Sequence, residues 1–163
     1  MATRAEPPIR EARSDEAAPL LELLARAFRE YAGRLDPPSG VHRETVASIA
    51  ARLREGGALV CEVQGALAGC VFYAPKSDHL SVGRLAVLPE HQRRGIGELL
   101  LRSAERRAME LGLSRVRLGV RVPLVNLRAY YEARGYVSIA YRSHDGYTAA
   151  TYVEMEKRLE PGG

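Results

Sequence analysis

The residues whose types and spacing carry the most chemistry run from Arg84 to Gly97. An apolar segment, Leu85-Ala86-Val87-Leu88, stops at Pro89, and Gln92-Arg93-Arg94-Gly95-Ile96-Gly97 then leads into an amphipathic stretch. Glycines at the start of a helix let a ligand approach the backbone closely. The first N–H groups of a helix lack internal partners, and the helix dipole favours negative charge there. Arg93 and Arg94 add formal positive charge, so the segment reads as a phosphate-binding loop. A lone Gly-x-Gly would mark only a turn; the strand before it, the arginines in it and the helix after it carry the binding reading. A P-loop needs Lys and then Ser or Thr after its last glycine, but Glu98 and Leu99 follow Gly97. A dinucleotide fingerprint needs a third small residue where Leu100 stands. Both mononucleotide and dinucleotide loops therefore fail, and a pyrophosphate remains.

The elements that must position this loop follow from periodicity and punctuation. A short strand is expected over 8–13, and Ser14-Asp15-Glu16 offers a cap for a helix carrying Leu20, Leu23, Leu24, Ala27 and Phe28. A loop over 33–40 separates it from a helix over 44–55. Strands over 58–63 and 66–73 flank Gln64-Gly65, a tight hairpin. The hairpin keeps Cys61 and Cys70 from lying directly opposite, and neither cysteine has a metal-ligand or redox spacing. A strand over 79–88, a helix over 97–111, a strand over 115–120 and a helix over 127–134 follow. The last two strands, 136–141 and 147–157, turn at His144-Asp145-Gly146. The order β-α-α-β-β-β-α-β-α-β-β implies a mixed α/β sheet with one parallel pair from the right-handed crossover between 79 and 120.

The loop residues Gln92-Arg93-Arg94-Gly95-Ile96-Gly97 match the Q/R-x-x-G-x-G/A signature of GNAT acetyltransferases, and Leu85-Ala86-Val87-Leu88-Pro89 looks like that family's lead-in. The block from Asn126 to Tyr136, with Tyr131 four residues before Gly135, resembles its second motif. With the element order, the resemblance spans 8–159 as a single N-acetyltransferase domain of acyl-CoA N-acyltransferase fold, leaving tails at 1–7 and 160–163. It implies acetyl-CoA as cosubstrate. Backbone amides of Arg93, Arg94, Gly95, Ile96, Gly97 and Glu98 would cradle the pyrophosphate, and the backbone of Leu85, Ala86 and Val87 would pair with the pantetheine arm. Asn126 would touch that arm, although it lies closer to Tyr131 than in many family members; it could equally cap the helix at 127. Tyr131 would stand near the sulfur as the proton donor, a phenol of pKa about 10 against a thiol of about 8.5. Tyr130, beside Leu127 in the helical stripe, reads as the core tyrosine.

An acetyl group would pass directly to a primary amine, on a small molecule or a peptide, in a ternary complex. The loops at 31–42 and 142–147 are irregular and polar, as binding loops often are, which makes Tyr31, Asp36 and His144 substrate candidates beside Asp145. His79, Asp78 and Glu62 are the candidate bases, with a water relay as the alternative.

Composition bounds the remaining readings. The chain has 163 residues, a net charge of +4 and 27% charged residues, within the range of an ordinary globular domain. The N-terminus has no apolar leader segment, so a cytoplasmic protein without a membrane partner is expected; the family resemblance allows a homodimer. A basic nucleic-acid module built on Arg93, Arg94, Arg102, Arg106 and Arg107 is disfavoured, because Glu98, Glu105 and Glu110 interrupt the face and no aromatics interleave. A domain that binds acyl-CoA without catalysis would keep the loop and lack a working acid or base.

Overall fold

The structure, a computed structural model, describes residues 7–160. The tails expected at the two ends lie, but for Pro7 and Glu160, outside the described residues. The elements are β1 (Ile9–Glu11), α1 (Ala17–Ala27), α2 (Val46–Glu55), β2 (Gly57–Val63), β3 (Ala66–Pro75), β4 (Leu80–Val87), α3 (Ile96–Glu110), β5 (Arg115–Arg121), α4 (Val125–Glu132), β6 (Val137–Arg142) and β7 (Tyr152–Arg158), in the expected order. They form one seven-stranded mixed sheet, β1-β2-β3-β4-β5-β7-β6, in which only β4 and β5 run parallel.

Period-two alternation along the strands divides the core between the two faces of the sheet. Leu59, Cys61, Val71, Leu80 and Val82 face α3, whose Ile96, Leu100, Leu101, Ala104 and Ala108 recur at helical spacing. Ala58, Val60, Cys70 and Phe72 face α1 and α2, which contribute Leu20, Leu24 and Ile49. Full burial of each such leucine contributes about 1.5–3 kcal/mol. The hairpin between β2 and β3 turns at Gln64 (φ 52°) and Gly65 (φ 80°), the paired positive angles that match strand twist. Cys61 and Cys70 are free and buried, and pair with Gly69 and Val60 respectively.

Several boundaries differ from the sequence reading, each for a local reason. β1 stops at Glu11 because the Glu16 carboxylate accepts the Arg13 N–H at 2.7 Å and turns the chain; Glu16, at the N-cap of α1, makes no side-chain cap. α2 starts after Thr45, whose hydroxyl accepts the Ser48 N–H while Ser48 accepts the Thr45 N–H, a reciprocal cap. α3 starts at Ile96 rather than 97, with left-handed Gly95 as its N-cap. α4 starts at Val125, so Asn126 lies inside the first turn and caps nothing; Leu124 holds the N-cap position. β7 starts at Tyr152 rather than 147. Residues 143–151 form an irregular loop pinned by Ser143 Oγ to the Ala149 carbonyl (2.9 Å) and by the His144 N–H to Thr151 Oγ1 (2.9 Å). No helix among the described residues is long and apolar enough to cross a membrane.

The feature that creates the site is a parting of strands. β4 and β5 pair only at Leu80↔Val116 and Ser81↔Arg117, while β5 continues beside β7 over its whole length. Beyond Ser81, β4 bulges: the register against β3 shifts between Cys70 and Phe72, and Arg84 takes a φ of 54°. A bulge bends its strand and raises its twist. A cleft therefore opens between the C-terminal ends of β4 and β5.

Candidate functional site

Two cavities meet in this cleft, sharing Tyr31, Leu85 and Leu127. The larger, about 510 Å³, lies over the N-terminus of α3 and is edged by Val87, His91, Gln92, Arg93, Gly95, Ile96, Gly97, Glu98, Tyr130 and Arg134. The smaller, about 280 Å³, lies toward the loops after α1 and β6, with Phe28, Leu35, Ser39, Gly40, Arg84, Arg121, Tyr131 and His144 in its wall.

The larger cavity is shaped by backbone. Arg93 and Gly95 have φ of 66° and 80°, so the chain between β4 and α3 turns through two left-handed residues. Glycine adopts that conformation freely, whereas an L-residue such as Arg93 loses about 1–2 kcal/mol in it. Such strain is retained where the direction of backbone groups matters. Gln92 Nε2 donates to the Val87 carbonyl at 3.1 Å and ties the loop to the end of β4. Gly97 sits in the first turn of α3, and a Cβ there would meet only the Tyr130 hydroxyl (3.5 Å) and Val87 (3.8 Å). Arg134 donates to the Tyr130 carbonyl (2.9 Å), stacks 3.5 Å from the centre of the Tyr130 ring and reaches Glu98 at 3.9 Å. His91 Nδ1 and Arg134 Nε are buried without partners among the described residues. Left-handed loop, free helix N-terminus, open glycine face and the unpartnered Arg134 Nε–H together suit an elongated anion.

Of the residues expected at this loop, Leu85, Val87, Gln92, Arg93, Gly95, Ile96, Gly97 and Glu98 line the cavity. Ala86 is buried in the opposite core beneath α1, and Arg94 is exposed outside both cavities. Asn126 is exposed and lines neither cavity. Tyr131 is buried, in edge-on contact with Tyr130 (5.4 Å) and Tyr136 (5.7 Å), and lines the smaller cavity. Its hydroxyl has no hydrogen-bond partner among the described residues, and burial pushes its phenol above the ordinary value. Tyr130, read from sequence as the core tyrosine, instead faces the larger cavity, because the turn of α4 points it at Gly97.

The substrate candidates divide. Tyr31 lines both cavities, its phenol raised by burial, and His144 lines the smaller one. The loops at 31–42 and 142–147 thus meet at one cavity. Asp36 is exposed and accepts the Tyr147 hydroxyl, which joins the two loops outside the cavity wall. His79 is bonded to Asp78 (2.7 Å) at the start of β4, the closed end of the strand pair, away from the cleft; Glu62 is held by Arg10 at the β1–β2 edge. None of these three lines either cavity. Arg84, Arg121 and Arg134 were missed as site residues; each is an arginine among many in the sequence, and only the bulge and the parting strands single them out.

His144 is held on one side only. The Thr151 hydroxyl accepts its backbone N–H and meets Nδ1 of the ring, so Nε2 is the ring nitrogen left without a partner among the described residues. Burial, then Arg121 and Arg43, push its pKa below the ordinary 6.5, which keeps the ring neutral at pH 7.

A family model described as the acetyltransferase (GNAT) family matches residues 17–136. No curated protein sequence matches the chain. Among solved structures it is similar to the PaiA N-acetyltransferase from Thermoplasma acidophilum in complex with coenzyme A, at 19% identity and a TM-score of 0.76 over 95% of this chain and 100% of that one. It is also similar to the ribosomal-protein-S18-alanine N-acetyltransferase from Escherichia coli, at 18% identity and a TM-score of 0.75 over 97% of each chain. A GNAT family acetyltransferase from Elizabethkingia anophelis with acetyl-CoA bound gives 16% identity and a TM-score of 0.70 over 93% of this chain and 97% of that one. At these identities the likeness is one of fold.

Proposed function

Since this chain belongs to the acetyltransferase (GNAT) family, we propose that it moves an acetyl group from acetyl-CoA to a primary amine by direct attack, with both reactants bound at once. The observation that carries the reading is the left-handed Arg93–Gly95 loop at the N-terminus of α3, opening on a cavity that joins a second one at the parting of β4 and β5. The solved relatives that hold coenzyme A or acetyl-CoA support the choice of cosubstrate.

Acetyl-CoA, when bound, supplies a thioester carbonyl open to an amine lone pair. The amides from Arg93 to Glu98 would hold its diphosphate, and the open face of Gly97 leaves room beside Tyr130. Beyond Ser81, β4 has no pairing with β5, so the backbone of Leu85 and Val87 is available to pair with the pantetheine arm. The Val87 carbonyl already accepts one bond from Gln92, which leaves it one lone pair.

As the C–N bond forms and the C–S bond breaks, one proton leaves nitrogen and one is required at sulfur. His144, neutral and with Nε2 free, would take the first. Tyr131 would serve the second. Its raised pKa keeps the O–H intact at working pH, so it acts first as a hydrogen-bond donor to the departing sulfur. Full proton transfer costs about 1.4 kcal/mol for each unit by which phenol exceeds thiol. Holding both reactants in the joined cavities supplies much of the acceleration.

Calorimetric titration of acetyl-CoA into the pure protein tests the binding half, and thiol release with a panel of amines tests transfer. Binding without thiol release from any amine would favour the non-catalytic acyl-CoA-binding alternative. The basic-face alternative is weakened by Arg107, which pairs with Glu11 (2.7 Å) against Tyr73 instead of joining exposed Arg102 and Arg106.

A further inference from the structure

The smaller cavity has an unusual charge. Arg84, at the β4 bulge, and Arg121, at the end of β5, both line it, so each parting strand contributes one arginine to the wall; the Arg84 guanidinium lies beside Gly40, another lining residue. No aspartate or glutamate among the described residues lines it, whereas Glu30 and Glu98 both edge the larger cavity. Neither arginine is neutralised by a carboxylate of its own. Arg84 Nη2 stands 3.5 Å from Glu44 Oε1, but Arg52 already holds that carboxylate through Nε and Nη2 at 3.0–3.1 Å. Arg121 donates to the Pro37 carbonyl and forms no ion pair among the described residues; nearby Asp36 accepts the Tyr147 hydroxyl. The Nε of each arginine is buried without a partner among the described residues. Arg43 adds its charge to the field felt by both Arg84 and His144.

Two half-buried, under-compensated arginines in the wall of a small cavity make a poor site for a cation and a good one for an anion. A carboxylate offers each planar donor fork two acceptors. An ammonium placed there would be driven to lose its proton, since nearby positive charge disfavours the charged form. Phe28, Leu35, Leu118 and Leu124 give the wall its apolar part, beside the polar Tyr31, Ser39, Tyr131 and His144. A volume of about 280 Å³ suits a molecule of amino-acid size.

We propose that the acceptor is a small anionic amine, a primary amine carrying a carboxylate or similar acid that docks between Arg84 and Arg121. The proposal rests on the acetyl-transfer reading above and names its substrate class. The positive field then does two things: it binds the acid and favours the free-base form of the nitrogen that must attack. Polyamines and other cationic acceptors are excluded by the same field.

The test measures initial thiol release from acetyl-CoA with free amino acids, β-alanine and 2-aminoethylphosphonate. The matching amino-acid methyl esters, ethanolamine and spermidine serve as counterparts. In parallel, calorimetry compares N-acetyl amino acids with their amides, with and without coenzyme A, which reads the preference independently of turnover. The anionic amines are expected to exceed their counterparts by about ten-fold or more in kcat/KM, and N-acetyl acids to bind correspondingly tighter than amides. Arg121→Gln should raise KM for the best acid by about ten-fold with a smaller change in kcat, and abolish the acid-over-ester preference. Arg121→Lys should restore part of the preference. Esters or spermidine used as well as the acids, or no preference for acids in either readout, overturns the proposal. Loss of the acetyl-transfer reading would show differently: wild-type protein would take up no acetyl-CoA, or would bind it and release no thiol with any amine, acid or ester alike; Arg121→Gln is expected to leave acetyl-CoA affinity unchanged.

Discussion

A side chain on Gly97 would begin 3.5 Å from the Tyr130 hydroxyl, so the first turn of α3 and the last turns of α4 face each other across the width of one missing methyl group. That distance is ordinary van der Waals contact, and the backbone of Gly97 is helical. Gly97→Ala is therefore tolerated by the fold. Gly97→Glu extends a negative charge into the space assigned to a diphosphate. It should weaken acetyl-CoA binding by about 100-fold or more, equivalent to about 2.7 kcal/mol, while the melting temperature moves by a few degrees at most. Calorimetry and thermal denaturation on the same preparation separate the two effects.

The Tyr131 hydroxyl has no hydrogen-bond partner among the described residues, so its removal costs the fold no bond. Tyr131→Phe should retain stability to within about 0.5 kcal/mol and keep acetyl-CoA affinity within about two-fold, yet lower kcat by about ten- to hundred-fold. Undiminished turnover would remove Tyr131 from the chemistry.

His144 ties its activity to pH in a definite direction. Its pKa lies below 6.5, pushed down by burial and by Arg121 and Arg43. The neutral, proton-accepting form dominates at pH 7 and is lost as pH falls through the lowered pKa. A plot of log kcat/KM against pH should show an acidic limb with its midpoint below 6.5, and His144→Gln should abolish that limb. A limb that survives unchanged assigns the titration elsewhere.

Glu16 governs acid stability at the other end of the molecule. The Arg10 guanidinium donates to both its oxygens (2.8 and 2.9 Å), the Arg13 N–H adds a third bond, and its pKa is held down to about 2 from 4.5. A depressed carboxyl pKa contributes stability that is complete above 4.5 and lost as pH falls toward 2. The Arg10 side chain is 31% exposed, so solvent screening holds the contribution to about 1–2 kcal/mol. Glu16→Gln should lower the melting temperature at pH 7 by a few degrees and flatten its decline between pH 4.5 and 2, as read by circular dichroism.

Legibility followed the range of the interaction. The helix stripe from Ile96 to Ala108, the Gln64-Gly65 hairpin and the glycine loop before α3 are local patterns, written in residues a few positions apart, and each was readable directly. So were the element order and, through the loop residues and the block around Tyr131, the family resemblance. Residues such as Tyr130 and His79 were misjudged because adjacency along the chain says little about which side of a sheet, or which end of a strand, a side chain reaches. Tyr130 packs near the core stripe and still faces the cavity, and His79 sits at the closed end of β4.

What the chain determined by itself was the alphabet of elements and the glycine loop before α3, because backbone geometry and helix termini depend on neighbours in sequence. Only the tertiary structure decided where the strands part. Leu80 and Ser81 pair with Val116 and Arg117, and beyond them the β4 bulge at Arg84 sends the two strands apart. That divergence brings Arg84, Arg121 and His144, distant along the chain, around one cavity, and the cavity's charge comes from their convergence in space and from no local motif.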